Sequence, residues 1–239
     1  MEYKLAAEQL KASYRSHWTR YRQDDEIEVT TEPQQRLRRI LEQISRLFGR
    51  PITVLDLGCG TGRYFYCLKN VDRLVGVDLS REMLEAAAHP VREGEVSVKQ
   101  IELQCANVFE LTFPDESFDF IYSLGMFGFG CPVTLELCNR FYTWLKPGGR
   151  LFFDTLDRAG LRWPVRVRRR LRRCVYPALP RRFQQTIDER EGGPPMYDYS
   201  ARELKALMRA SRFKQFAITS SAYKSPIWQR VKLECLAVK

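Results

Sequence analysis

Histidine is nearly missing from this 239-residue chain and cysteine never takes up a ligand spacing: His17 and His89 stand alone, and none of the seven cysteines forms a CxxC pair. Those absences remove the usual zinc sites, and no metal is expected. The cysteine count is odd, and the first thirty residues are charged and polar, without the apolar core of a signal peptide. Both argue against a disulfide framework, and the thiols are read as reduced and mostly buried. No apolar run reaches the roughly eighteen residues that a membrane-spanning helix needs. The expectation is a cytoplasmic protein.

What the chain does have is 44% hydrophobic residues, enough for one sizeable core. Leu10, Tyr14, Trp18 and Tyr21, then Leu37, Ile40, Leu41, Ile44 and Leu47, recur at helical spacing, with Asp24-Asp25-Glu26 read as the break between two helices. Strands are expected at 52–57, 73–78, 98–105, 118–124 and 150–156. The helices between them are placed at 62–69, from the N-cap Ser80, and at 133–145, the last stopped by Lys146-Pro147-Gly148-Gly149. Ser200 caps a further helix through Ala210, ahead of strands at 213–219 and 231–238. Alternating strand and helix implies a parallel sheet.

The most informative stretch is Val54-Leu55-Asp56-Leu57-Gly58-Cys59-Gly60-Thr61-Gly62-Arg63, an apolar strand entering a turn of small residues. Glycines there let the backbone press against a ligand and take positive φ. Asp78 ends the next apolar run twenty residues past Gly58, placed to accept both hydroxyls of a ribose. The third glycine of a dinucleotide fingerprint is absent, its place taken by Arg63, which argues against NAD or FAD. Asp56 ahead of the turn suits an ammonium or sulfonium better than a pyrophosphate.

VLDLGCGTG, GVDLS, PDESFDFIYS and LKPGGRLFF, in that order, resemble the class I S-adenosylmethionine-dependent methyltransferases, most closely the UbiE-like type 11 group, over residues 50–156. The resemblance implies a Rossmann-like α/β fold: a mostly parallel seven-stranded sheet with an antiparallel last strand and helices on both faces. It implies S-adenosylmethionine as cofactor and S-adenosylhomocysteine as product. Asp56, Gly58, Cys59, Gly60 and Gly62 would hold the methionine end, Asp78 the ribose diol, and Leu79, Asn107 and Val108 the adenine, with Ser123 and Tyr14 completing the pocket. Asn107 stands where the family usually has an acid; its carbonyl oxygen can still accept from an adenine amino group. By the same likeness the chain divides into a helical cap (1–49), the cofactor-binding core (50–156), a lid insertion (157–199) and a segment completing the sheet (200–239).

Methyl transfer from a sulfonium is an in-line displacement, so positioning and exclusion of water can supply much of the catalysis. An oxygen acceptor would still need a base, for which His17, Tyr21 and Asp154 are the leading candidates, with Tyr14 and Tyr122 beside them. Phe127, Phe129, Trp163, Tyr197 and Tyr199 are read as an apolar pocket for a small or lipid-like acceptor. Between Arg158 and Arg182 there are ten arginines and no acid, as many as the chain's formal net charge of +10. That segment suits a solvated lid paired with surface acids, an anionic membrane surface or nucleic acid, the last disfavoured because no Asn/Asp-Pro-Pro-Tyr follows the fourth strand. A monomer or homodimer is expected.

Overall fold

The computed structural model describes residues 10–11, 19, 21–26, 32–160, 167, 174–175, 178–180, 196–224 and 229–239. One mixed sheet organises them. Its strands are β1 (Ile52–Leu57), β2 (Val71–Asp78), β3 (Gln100–Cys105), β4 (Phe118–Ser123), β5 (Leu145–Asp157), β6 (Asp198–Tyr199), β7 (Gln215–Lys224) and β8 (Gln229–Val238). They lie in the order β3-β2-β1-β4-β5-β8-β7, with the two-residue β6 alongside β5. Pairings from β3 through β5 are parallel, whereas β8 runs antiparallel to both β5 and β7. The strand order reverses between β1 and β4, and open α/β sheets bind ligands at the carboxyl ends of the strands flanking such a point.

Side chains alternate across the sheet and divide the core in two. Leu55, Leu57, Ile121, Phe153 and Leu233 face α3 (Leu135–Trp144) and α4 (Ala201–Ala210), which contribute Leu137, Phe141, Leu204 and Met208. Val54, Phe120, Tyr122 and Phe152 face the other way, with Leu37, Leu41 and Ile44 of α1 (Glu32–Arg46) and Leu84 of α2 (Arg81–Ala87) in the same cluster. The helix caps behave as their residues dictate. Ser80, Thr134 and Ser200 each accept an amide N–H of the first turn, and Ser200 with Glu203 completes a capping box.

Three local expectations need correction. The helix read over 62–69 is a single 3-10 turn, Phe65–Cys67. Gly62 sits at φ +75 and its neighbours close i→i+3 bonds (Phe65 to Gly62, Cys67 to Tyr64), so an α-helix cannot propagate from the turn. Asp24, Asp25 and Glu26 are helical, not a break, because Asp25 has a tertiary partner described below. Lys146–Gly149 stops α3 but belongs to β5: Phe118 pairs with Leu145 and Phe120 with Arg150, so four residues bulge opposite Asp119 alone. Lys146, Arg50 and the Thr53 amide all converge on the Asp119 carboxylate and hold that bulge.

Arg36 of α1 places two guanidinium N–H groups on the carboxylate of Glu234 in β8, at 2.5 and 2.6 Å, and Ser221 donates a third bond at 2.7 Å. Glu234 is only 4% exposed. Arg36→Ala leaves that buried charge with a single hydroxyl, and a loss on the order of 3 kcal/mol is expected in urea unfolding. Adding Glu234→Gln should recover part of the loss, since the stranded charge is then gone.

Candidate active site

The turn after β1 is fixed by backbone bonds to β2: the amides of Gly58 and Cys59 both donate to the Val77 carbonyl, at 2.8 and 3.0 Å. Gly58, Gly60 and Gly62 all have positive φ, between 55 and 75. At Gly58 a Cβ would lie 2.8 Å from Met126 of the loop after β4, so the two loops meet with no room for a side chain.

Two carboxylates flank the turn. Asp78 accepts the Gly60 amide at 2.9 Å and the Ser80 amide at 3.0 Å, which ties the turn to the end of β2. Burial pushes its carboxyl up, opposed by the amides of Ser80, Gly60 and Leu79. Asp56, 2% exposed, pairs in register with Tyr122 across β1 and β4 and accepts its phenol at 2.6 Å. Burial pushes Asp56 up to about 8; the Tyr122 hydroxyl works against the rise and the Asp78 charge adds to it. Two buried acids acting on each other are balanced either by a retained proton or by a cation. Cys59 is buried, its thiol pushed well above the usual range by burial and by both acids, so it is filler and not a nucleophile. Burial does the same at Cys131, to about 12.

Around these lie Leu79, Asn107 and Val108, at and after the ends of β2 and β3. The Cys105 thiol touches the Leu79 carbonyl, Asn107 turns its own carbonyl oxygen onto the Phe109 amide at 3.1 Å, and Val108 is buried. Ser123 is fully buried and donates to the Leu57 carbonyl at 2.8 Å, pinning β4 to β1 just below the turn.

Tyr122 is 0% exposed, and burial with the Asp56 charge pushes its phenol well above its usual range, which removes it from the possible bases. Asp154 is buried and fully engaged: one oxygen accepts the Gly125 amide at 2.7 Å and the other the Lys232 ammonium, so it caps the loop after β4. Tyr21 is 41% exposed on the helical segment 21–26, while His17 and Tyr14 lie outside the described residues. Of the expected acceptor pocket, Phe127 is core, packed against Phe141 and Phe153, and Tyr199 clasps both backbone groups of Val133. Phe129 is half-buried and bridges to Met196, Tyr197 donates its amide to Gly128, and Trp163 is outside the described residues.

Sequence reasoning missed Asp25. It is 1% exposed, accepts the Thr61 hydroxyl and pairs with Arg63, the residue standing in the third-glycine position. Leu10 packs so closely on Gly130 that no Cβ would fit there. Asp25 therefore touches the turn after β1 and Leu10 the loop after β4. Of the ten insertion arginines only Arg158 is described, and it is committed to Asp198 and Glu203. The others lie outside the described residues. Among the described residues no three His, Cys, Asp or Glu side chains gather as metal ligands, and no helix is long and apolar enough to cross a membrane.

Residues 54–149 match the model of a methyltransferase domain. The chain is 39% identical over 109 residues to phosphoethanolamine N-methyltransferase 3 of Arabidopsis thaliana, covering 44% of this chain but 21% of that protein. It is 29% identical over 206 residues to the O-methyltransferase rstn1 of Aspergillus nomiae, covering 85% and 80%. Residues 54–149 form a methyltransferase domain, similar to the class I S-adenosylmethionine-dependent methyltransferases. The crystal structure of the 1,6-didemethyltoxoflavin N1-methyltransferase of Burkholderia thailandensis, with S-adenosylhomocysteine bound, superposes with a TM-score of 0.61 at 19% identity over 98% of this chain and 88% of that one. This methyltransferase fold accounts for the buried acids at the switch point, and its cofactor is S-adenosylmethionine.

Proposed function

We propose that the protein transfers the methyl group of S-adenosylmethionine to an oxygen or nitrogen atom of a small-molecule acceptor by in-line displacement. The carrying observation is the pair of buried acids, Asp56 and Asp78, across the glycine turn. Asp56 takes the ammonium of the methionine end, Asp78 the ribose diol, and Leu79, Asn107 and Val108 the adenine. The sulfonium then faces the loop after β4, against which Leu10 packs at Gly130. The similar proteins of known name include an O-methyltransferase and an N-methyltransferase, which supports a small acceptor over a nucleic acid.

Asp154 is assigned to holding the loop, because both its oxygens are occupied. Proton removal, where the acceptor demands it, falls to His17 or Tyr21. Displacement by a neutral amine needs no base before attack; a phenol does.

The test is transfer of radiolabelled methyl to a panel holding phosphoethanolamine, simple phenols, hydroquinones with apolar tails, and total RNA. Turnover confined to one small-molecule class is expected. Label carried only by RNA, or by none of the panel despite tight cofactor binding, would sink the reading.

A further inference from the structure

Asp56 and Tyr122 are direct cross-strand partners at the point where the sheet order reverses. Asp78 is steadied by several backbone amides, but the Tyr122 phenol is the one donor that reaches Asp56 among the described residues. The phenol cannot swing away: Tyr122 is fully buried and its ring stacks on Phe120, with centroids 5.5 Å apart. We propose that Tyr122 is a positioning residue of the cofactor site, its fixed phenol aiming the Asp56 carboxylate at the cofactor's ammonium and favouring the ionised form that binds it.

This rests on Asp56 being the ammonium anchor. The titratable groups bearing on Asp56 are Tyr122 from β4, Asp78 from β2 and Cys59 from the turn. Arg63, further along, is paired with Asp25. Burial and the neighbouring Asp78 charge both push the Asp56 carboxyl toward its neutral, protonated form, and no described cation opposes them. When the cofactor enters, the O–H bond of that carboxyl breaks, its proton passes to solvent, and the carboxylate pairs with the incoming ammonium. Tyr122 lowers the cost of that exchange by donating to the anion.

The measurement is titration calorimetry with S-adenosylhomocysteine from pH 6 to pH 9, on the parent, Tyr122→Phe and Asp56→Asn. For the parent, repeats in buffers of different ionisation enthalpy should show proton release near neutral pH. Tyr122→Phe should bind roughly tenfold more weakly at pH 7, with affinity converging on the parent's by pH 9. A merely structural tyrosine would weaken binding evenly at all pH. An even loss, an unmoved profile, or no proton release from the parent overturns the proposal. Asp56→Asn separates the two failures: if it binds like the parent with the same pH profile, Asp56 is not the ammonium anchor and the underlying reading falls too. Should Tyr122→Phe not fold, the buffer experiment on the parent can still overturn the proposal, by showing no proton release.

Discussion

Asp78→Ala is expected to lose S-adenosylmethionine and S-adenosylhomocysteine binding by at least about a hundredfold. Each hydrogen bond from a ribose hydroxyl to an ionised carboxylate contributes about 1.5–3 kcal/mol, and two are forfeited together. The same carboxylate also holds the amides of Gly60 and Ser80, so truncation loosens the turn that must press against the ligand. Asp78→Asn separates these effects. It keeps one carbonyl oxygen for the Ser80 amide but offers the ribose an amide group where an acceptor is needed, so it should bind better than the alanine variant and worse than the parent. Calorimetric titration of all three, with thermal melts to show that each is folded, is decisive. Parent-like affinity in Asp78→Ala would remove the ribose assignment and, with it, the orientation of the cofactor across the sheet.

The parts of this site legible in the sequence are those carried by neighbours along the chain. A strand ending in Asp56, a glycine turn, and a second strand ending in Asp78 form a local pattern, and the structure assembles them as spaced. The parallel pairing of the strands also followed from alternation, because parallel strands need crossover connections. What could not be read is what joins distant segments. The Tyr122 to Asp56 bond spans 66 positions and the Thr61 to Asp25 bond spans 36, and neither leaves a periodic trace. Asp25 therefore looked like part of a polar break, although a buried partner makes it a helix residue. The Lys146–Gly149 bulge was hidden for a related reason: Pro and Gly correctly stop α3, yet only the Asp119 carboxylate, contributed by β4, makes the bulge part of a strand. Phe127 was misplaced because aromatic residues after a strand read alike whether they face a pocket or the core.

The protonation of Asp56 predicts an unusual dependence of stability on pH. Its folded carboxyl titrates near 8, against an ordinary value of 3.8, so the folded state keeps a proton that the unfolded chain gives up. The stability it contributes is whole below about pH 4 and is lost as pH rises through 8, a decline of up to roughly 5 kcal/mol. Asp119 and Glu203 act in the opposite sense, since their carboxyls are held low, Glu203 at about 2. Their contribution is present above the ordinary carboxylate range and lost only in acid, so the decline toward pH 8 is that of Asp56; the Asp78 carboxyl, also raised by burial, acts in the same sense. The net charge of +10 pulls the other way, because self-repulsion eases as pH rises. The difference between the parent and Asp56→Asn isolates the carboxyl from that background. Melting curves of the empty parent, relative to Asp56→Asn, should fall steadily between pH 5 and 8. Saturating S-adenosylhomocysteine should suppress the fall by supplying the missing cation, so its stabilising increment grows with pH across the same interval. An increment independent of pH would mean that Asp56 is already ionised in the empty pocket, and that something other than a trapped proton balances the two acids.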